Sequence, residues 1–229
     1  MKLLKYQHWH ILFLAVLLIL LYEYTQNNPS VLQGQHWGID TSQWLLWSTL
    51  VPIIHQLYVW LCWRLELYDR RISKTFGQHA FTVYKIGFAI LILLRPISII
   101  LLAVANKNTI AVSTPVSYIL SGLLLIPATY LFYSVYTYFG IDRAFGIDHF
   151  QPDVYGNKLF VKQGLYKYTD NGMYSFGFLI FYIPGILLKS EAGLILALFS
   201  HLYIWVHYFC TERPDIKVIY QKDSSSNSE

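Results

Sequence analysis

The sequence predicts an all-α integral membrane protein with about six transmembrane helices, the last two forming a hairpin, and three observations carry that expectation. Hydrophobic residues make up 55% of the 229, charged residues only 13%, and mean hydropathy is +0.40, a composition that water-soluble domains rarely have. The apolar residues gather in windows long enough to cross a hydrocarbon core, about 20 residues each. The basic residues fall almost entirely in alternate connections between those windows, as the positive-inside bias requires.

The windows follow in order. In the first, 8–25, Lys2 and Lys5 precede an apolar core from Ile11 to Leu21, but Tyr22-Glu23-Tyr24 stands where a small-residue cleavage site would be needed, so a retained span is expected instead of a signal peptide. The second, 43–64, starts among Trp37, Trp44 and Trp47, which read as an outer interfacial belt, contains His55, and ends at Arg64 and Glu66, taken as packing or interfacial groups. The third, 81–105, holds Lys85 near its cytosolic end, where it can snorkel, and Arg95 beside Pro96 in mid-span. An intramembrane arginine needs an anion; a carboxylate such as Glu23 or a lipid phosphate would serve. The fourth, 112–139, is too long for one straight span, and Pro127 predicts a kink or an emergent turn. Windows 172–188 and 190–210 are separated by little more than Lys189, which predicts a tight antiparallel helical hairpin.

With the N-terminus inside, Lys2, Lys5, Arg64, Arg70, Arg71, Lys74, Arg143, Lys158, Lys162, Lys167, Arg213, Lys217 and Lys222 are cytosolic and only Lys107 and Lys189 lie outside. The chain is thus expected to be multi-pass with both termini cytosolic. The expected division is N-terminal helices 1–106, a membrane core 107–222 and a disordered polar tail 223–229. Cys62 and Cys210 sit in apolar segments, which argues for buried reduced thiols over a disulfide or zinc site. No repeat indicates an inverted-repeat transporter, and no glycine-rich or Walker lysine motif indicates a Rossmann or P-loop nucleotide site. His201 and His207 are six apart and do not share a helix face, so no metal site is expected, and nothing points to a nucleic-acid partner.

The chemistry gathers near the cytosolic face, where the segment from Gly140 to Asn171 and the C-terminal "TERPDIKVIYQK" emerge together. Three polar groups mark the ends of apolar spans: "FGIDRAFGIDHF", 139–150, with Gly-Ile-Asp twice and Arg143 and His149 alongside; "TDNG", 169–172; and "HLYIWVHYFCTERPD", 201–215. Glu212 falls one helical turn past Tyr208, with Pro214 as a stop. A carboxylate there suits a cationic ligand; it also suits an interfacial pair with Arg213 or Lys217. "TDNG" is a turn or capping signal that can also present backbone groups to a ligand.

"TDNGMYSFGF" resembles the D-N-P-M-Y element of phosphatidylethanolamine N-methyltransferases, a variant of the R-H-P-x-Y element of the wider isoprenylcysteine carboxyl methyltransferase superfamily, and "CTERPDIKVIYQK" resembles the paired-glutamate E-E-P segment of the same lipid enzymes. The resemblance runs from about Phe139 to Lys222, with one helical hairpin between the two motifs as in the family. Gly172 stands at the family's proline and Thr211 at its first glutamate, leaving Glu212 as the second.

The resemblance implies a cytosol-facing site that takes S-adenosylmethionine from water and a phospholipid from the bilayer. Asn171, Gly172, Met173, Tyr174, Gly177 and Glu212 are the expected cofactor residues, with Glu212 on the methionine ammonium. Arg143 and Arg95 are the candidates for the lipid substrate. The acceptor amine must lose a proton before it attacks, and His149 and Asp148, then His201, are the candidates for that role. Three competing readings are a carboxyl methyltransferase acting on prenylated cysteine, a sterol-type reductase using NADPH, and a lipid-binding protein inactivated by Gly172 and Thr211.

Overall fold

The computed structural model describes residues Lys2 to Tyr220; Lys222 and the polar tail lie outside the described residues. Among the described residues the structure is predominantly helical, its only strands forming one hairpin of two residues each, and five helical segments are long and apolar enough to cross a membrane: Gln7–Asn27, Thr41–Asp69, Arg71–Ala105, Thr114–Phe139 and Glu191–Tyr220. The expected integral membrane fold is therefore present.

In chain order, α1 is Gln7–Asn27; β1 (Gln35–His36) and β2 (Ile39–Asp40) form the hairpin; α2 is Thr41–Asp69, α3 Arg71–Phe76, α4 Ala80–Ala105 and α5 Thr114–Ser134. A π turn, Val135–Phe139, extends α5, and three one-turn helices follow: α6 (Ile141–Ala144), α7 (Ile147–Phe150) and α8 (Pro152–Tyr155). Then come α9 (Gly172–Ser175), α10 (Tyr182–Leu187) and α11 (Glu191–His207), a second π turn, Tyr208–Glu212, and α12 (Arg213–Tyr220).

The first span is polar inside and apolar outside. Gln7, His10 and Thr25 are its buried residues, while Ile11, Ile19 and Leu20 are exposed on the face that meets lipid, because acyl chains offer no hydrogen bonds and the polar groups must find partners within the bundle. Gln7 Nε2 donates to the Cys210 carbonyl and to Thr211 Oγ1, each at 3.2 Å, and the His10 ring bonds Gln7 and Tyr203, each at 2.9 Å. Cys62 and Cys210 are free thiols.

The window expected at 172–188 is helical but shorter and interrupted: α9, a 3-10 stretch from Gly177 to Phe181, then α10. Glycines and a proline cause this. Gly177 lies so close to α5 that a Cβ would meet Leu131 at 2.9 Å, and Pro184 and Gly185 sit within α10. Gly185 and Gly193 let α10 and α11 cross closely, since a Cβ on Gly185 would meet the Leu194 backbone nitrogen at 2.8 Å. Lys189 turns the chain with φ 54° and Ser190 caps α11 by accepting from Gly193 N at 3.0 Å. Helix α5 continues through Pro127 and ends in the π turn.

Helix α11 is central, packing on α1, α2, α4 and α10 around a core that includes Trp44, Leu102, Phe178, Leu196 and Phe199. At one end, fully buried Asn106 ties the loops together: its amide donates to the Ser30 and Gln33 carbonyls and its Oδ1 accepts from Ser190 and Ala192. At the other end, Arg64 and Glu66 do more than line an interface. Arg64 binds Asp215 of α12 at 3.2 Å and the carbonyls of Leu3, Lys5 and Cys210. Glu66 holds the turn into α3 by accepting from Ser73 N at 2.9 Å.

Candidate active site

The two Gly-Ile-Asp copies build different things. Gly140 and Gly146 both have positive φ, 92° and 84°, and each starts a one-turn helix. Asp142 of the first copy turns outward to Lys85, 2.5 Å away. In the second, a Cβ on Gly146 would lie 2.5 Å from the Trp63 indole. Glycine there lets α7 press onto α2 and buries Asp148 and His149.

The His149 ring stacks on Trp63 with centroids 4.0 Å apart. Its Nδ1 faces Asp148 Oδ1 at 3.0 Å, and its Nε2 lies 3.9 Å from Asp215 Oδ2 with no hydrogen-bond partner. The other Asp148 oxygen accepts from Tyr220 at 3.1 Å, and Tyr220 in turn accepts from Arg143 at 3.1 Å. Burial pushes the His149 pKa down, but the charge and hydrogen bond of Asp148, with Asp215 and Glu212 beyond, outweigh it and hold the group above its ordinary value. For Asp148, burial pushes up, while His149, Tyr220 and Arg143 pull harder and leave it below the usual carboxylate range.

These groups line a polar cleft of about 90 Å³ with Asn171, Met173, Tyr174 and Glu212 on its other walls. Asn171 precedes α9 without using its side chain as a cap, and its backbone N–H donates to Thr169 Oγ1 at 3.2 Å. Asp170 faces Lys162 at 2.5 Å. Tyr174 donates its hydroxyl to Glu212, which forms no ion pair with Arg213 or Lys217 among the described residues. Beyond the cleft lies a chamber of about 390 Å³ with mostly apolar walls, and the two share Trp63, Ala144, Met173 and Tyr174.

The structure thus brings together Asp148, His149, Arg143, Asn171, Met173, Tyr174 and Glu212. Gly172 is buried behind the cleft and Gly177 lines the chamber. His201 reaches neither cavity; it bonds Tyr182 at 3.3 Å and stacks on Phe178, because its position on α11 faces α10. Arg95 lines the chamber without the carboxylate partner the sequence suggested: Glu23 is exposed on α1, and Arg95 forms no ion pair among the described residues. Thr211 lies away from the cleft, fully buried and turned to Gln7 of α1.

Sequence reasoning missed Trp63, Asp215 and Tyr220. Asp215 and Glu212 are three apart on one helical face, a spacing that could have flagged the acid. Nothing local marks Trp63, which is brought in by α2·α7 packing.

The profile of the phospholipid methyltransferase family matches residues 116–223, which contain the hairpin, the second Gly-Ile-Asp copy and every cleft residue named above except Trp63. No curated protein and no solved structure shows significant similarity to the chain.

Proposed function

We propose that the chain, which belongs to the phospholipid methyltransferase family through residues 116–223, methylates the amine headgroup of phosphatidylethanolamine or its partly methylated forms with S-adenosylmethionine as donor. The observation that supports this best is the join between a polar cleft and an apolar chamber at Tyr174 and Met173. A water-soluble donor and a lipid acceptor need two such environments in contact.

The donor set of the cleft fits the cofactor. Glu212 offers a carboxylate to an ammonium, Asn171 offers an amide not used as a cap, Arg143 suits a carboxylate, and Phe139, Phe160 and Tyr220 give aromatic surface. When bound, S-adenosylmethionine supplies an electrophilic methyl group. The protein's part is to hold the acceptor in line and manage one proton. Tyr174 orients the Glu212 carboxylate, and Met173 separates water from acyl chains on the shared wall. With Nδ1–H donated to Asp148, a neutral His149 keeps its lone pair on Nε2. A proton taken up there faces Asp215, and the resulting imidazolium lies between Asp148 on its Nδ1 side and Asp215 on its Nε2 side, which stabilise it.

The experiment is transfer of labelled methyl by purified protein to phosphatidylethanolamine, its monomethyl and dimethyl forms, and a prenylcysteine in parallel. Label in a phospholipid headgroup is expected. Label in the prenylcysteine alone would move the protein to carboxyl methylation, and absence of S-adenosylmethionine binding would overturn the reading.

A further inference from the structure

The chamber wall carries charge that the proposed chemistry does not use. Arg95 is 1% exposed, makes one long hydrogen bond of 3.4 Å to the Pro52 carbonyl, lies 5.5 Å from the Phe178 ring centroid, and leaves Nε without a partner. His55 and His207, 3% and 1% exposed, line the same chamber, and neither has a partner on either ring nitrogen. Buried polar groups are nearly always hydrogen-bonded, and an intramembrane arginine without an anion is costly. Three unsatisfied groups on one cavity wall are best explained by a ligand that satisfies them.

The remaining walls specify its chemistry. Phe88, Ile92, Leu131 and Phe181 are apolar. Leu93 of α4 and Phe132 of α5 line the chamber yet are 61% and 48% exposed, and these two helices make no extended packing contact with each other. The chamber therefore opens sideways toward acyl chains. We infer that Arg95, His55 and His207 form an anion subsite that holds the phosphodiester of the phospholipid substrate while its chains lie along the apolar wall. One guanidinium matches the single negative charge of a phosphodiester, and each neutral imidazole adds one N–H donor. The headgroup beyond the phosphate then points past Tyr174 into the cleft. The inference rests on the proposed function for the identity of the lipid but not for the existence of the subsite.

The test is competition against an acyl-labelled fluorescent phosphatidylethanolamine bound to the full-length protein in detergent. The competitors are unlabelled phosphatidylethanolamine, an aminoethyl diacylglycerol ether with the same chains but no phosphate, and inorganic phosphate. The phosphate-free lipid should compete about tenfold or more weakly, as loss of charge-assisted hydrogen bonds predicts, and millimolar inorganic phosphate should not displace the probe. Arg95→Gln should abolish the discrimination, His55→Phe and His207→Phe should reduce it, and S-adenosylmethionine affinity should stay unchanged as a check on folding. Equal competition by the two lipids with wild-type protein would overturn the subsite whether or not the variants fold; so would discrimination that survives Arg95→Gln. Displacement by inorganic phosphate as strong as by phospholipid would overturn the lipid assignment. Parallel methyl-transfer assays separate the two ideas: discrimination without transfer keeps the subsite and refutes the function, and transfer without discrimination does the reverse.

Discussion

Replacing Glu212 with alanine tests the cofactor assignment most directly. Its carboxylate is on the cleft wall and its described hydrogen-bond partner is Tyr174. A hydrogen bond to a charged group contributes about 1.5–3 kcal/mol, and every 1.4 kcal/mol is about tenfold in affinity. Glu212→Ala should therefore raise the Kd for S-adenosylmethionine by about 10- to 150-fold. The variant also strips Tyr174 of its acceptor, which costs stability on its own account, so Glu212→Gln is the cleaner partner experiment. It keeps an acceptor for Tyr174, removes the charge, and should lose nearly as much affinity with little change in thermal unfolding. The control is Glu191→Ala. That carboxylate accepts from Ser30 and Tyr24 at the start of α11, at the opposite end of the helix from Glu212. Losing it should cost about 1–3 kcal/mol of stability and change cofactor affinity less than twofold. Isothermal titration of purified protein with S-adenosylmethionine measures all three. Equal losses for Glu212→Ala and Glu191→Ala, or an unchanged Kd in Glu212→Gln, would refute the assignment.

Arg64→Met leaves Asp215 buried without its cation and should destabilise the protein by about 3–5 kcal/mol; pairing it with Asp215→Asn should recover much of that in thermal unfolding. Placing the family's motif residues should be tolerated unequally at the two positions. Gly172→Pro removes no backbone hydrogen bond, and its Cβ would meet side-chain ends of Leu131, Leu165 and Thr169 at 3.1, 3.2 and 3.6 Å. Asn171 before it, at φ −112° and ψ 36°, lies outside the extended region that a following proline favours, so a small loss of stability is expected, whereas Thr211→Glu buries an acid against Gln7 and should lower expression and melting temperature more. The His149 pKa is raised above 6.5 and that of Asp148 is lowered below 3.8. The histidine's contribution to stability is thus fully present below its unfolded value and fades as pH rises through the raised folded one, while the aspartate's is present above its unfolded value and fades as pH falls through the depressed one. Methyl transfer should rise over the alkaline interval where stability falls, because a base must be neutral to act, and a pH profile of His149→Gln lacking both changes is the expected result.

The membrane spans were legible because each is a long, predominantly apolar run with few charges, and length with hydropathy is sufficient for that inference. The broken 172–187 segment was not, since its composition is as apolar as the rest and only close packing against Leu131 and α11 explains its glycines. Asp148, His149 and Glu212 were legible as polar groups at span ends. The destination of each depended on tertiary contacts that no local pattern records: Asp142 and Asp148 share a motif, yet one meets Lys85 at the surface and the other meets His149 in the interior. His55 was read as a packing or interfacial group and His207 only as a poor metal partner of His201, because an isolated histidine in an apolar run carries no partner information. Their meeting on one wall with Arg95 comes from helices remote in sequence.

The two π turns have a consequence for how such chains can change. Val135–Phe139 and Tyr208–Glu212 each end a long helix beside the cleft, and each inserts about one residue relative to an α turn. One residue corresponds to about 100° of rotation around a helix axis. Removing a single residue between Tyr208 and Glu212 would therefore not shorten the protein so much as turn α12 by more than a quarter circle. Asp215 would leave Arg64 and Tyr220 would leave Asp148, although every residue of α12 was still present. The turn acts as a phase setting, and a chain that gains or loses one position there must rewrite the following helix to keep the same inner face.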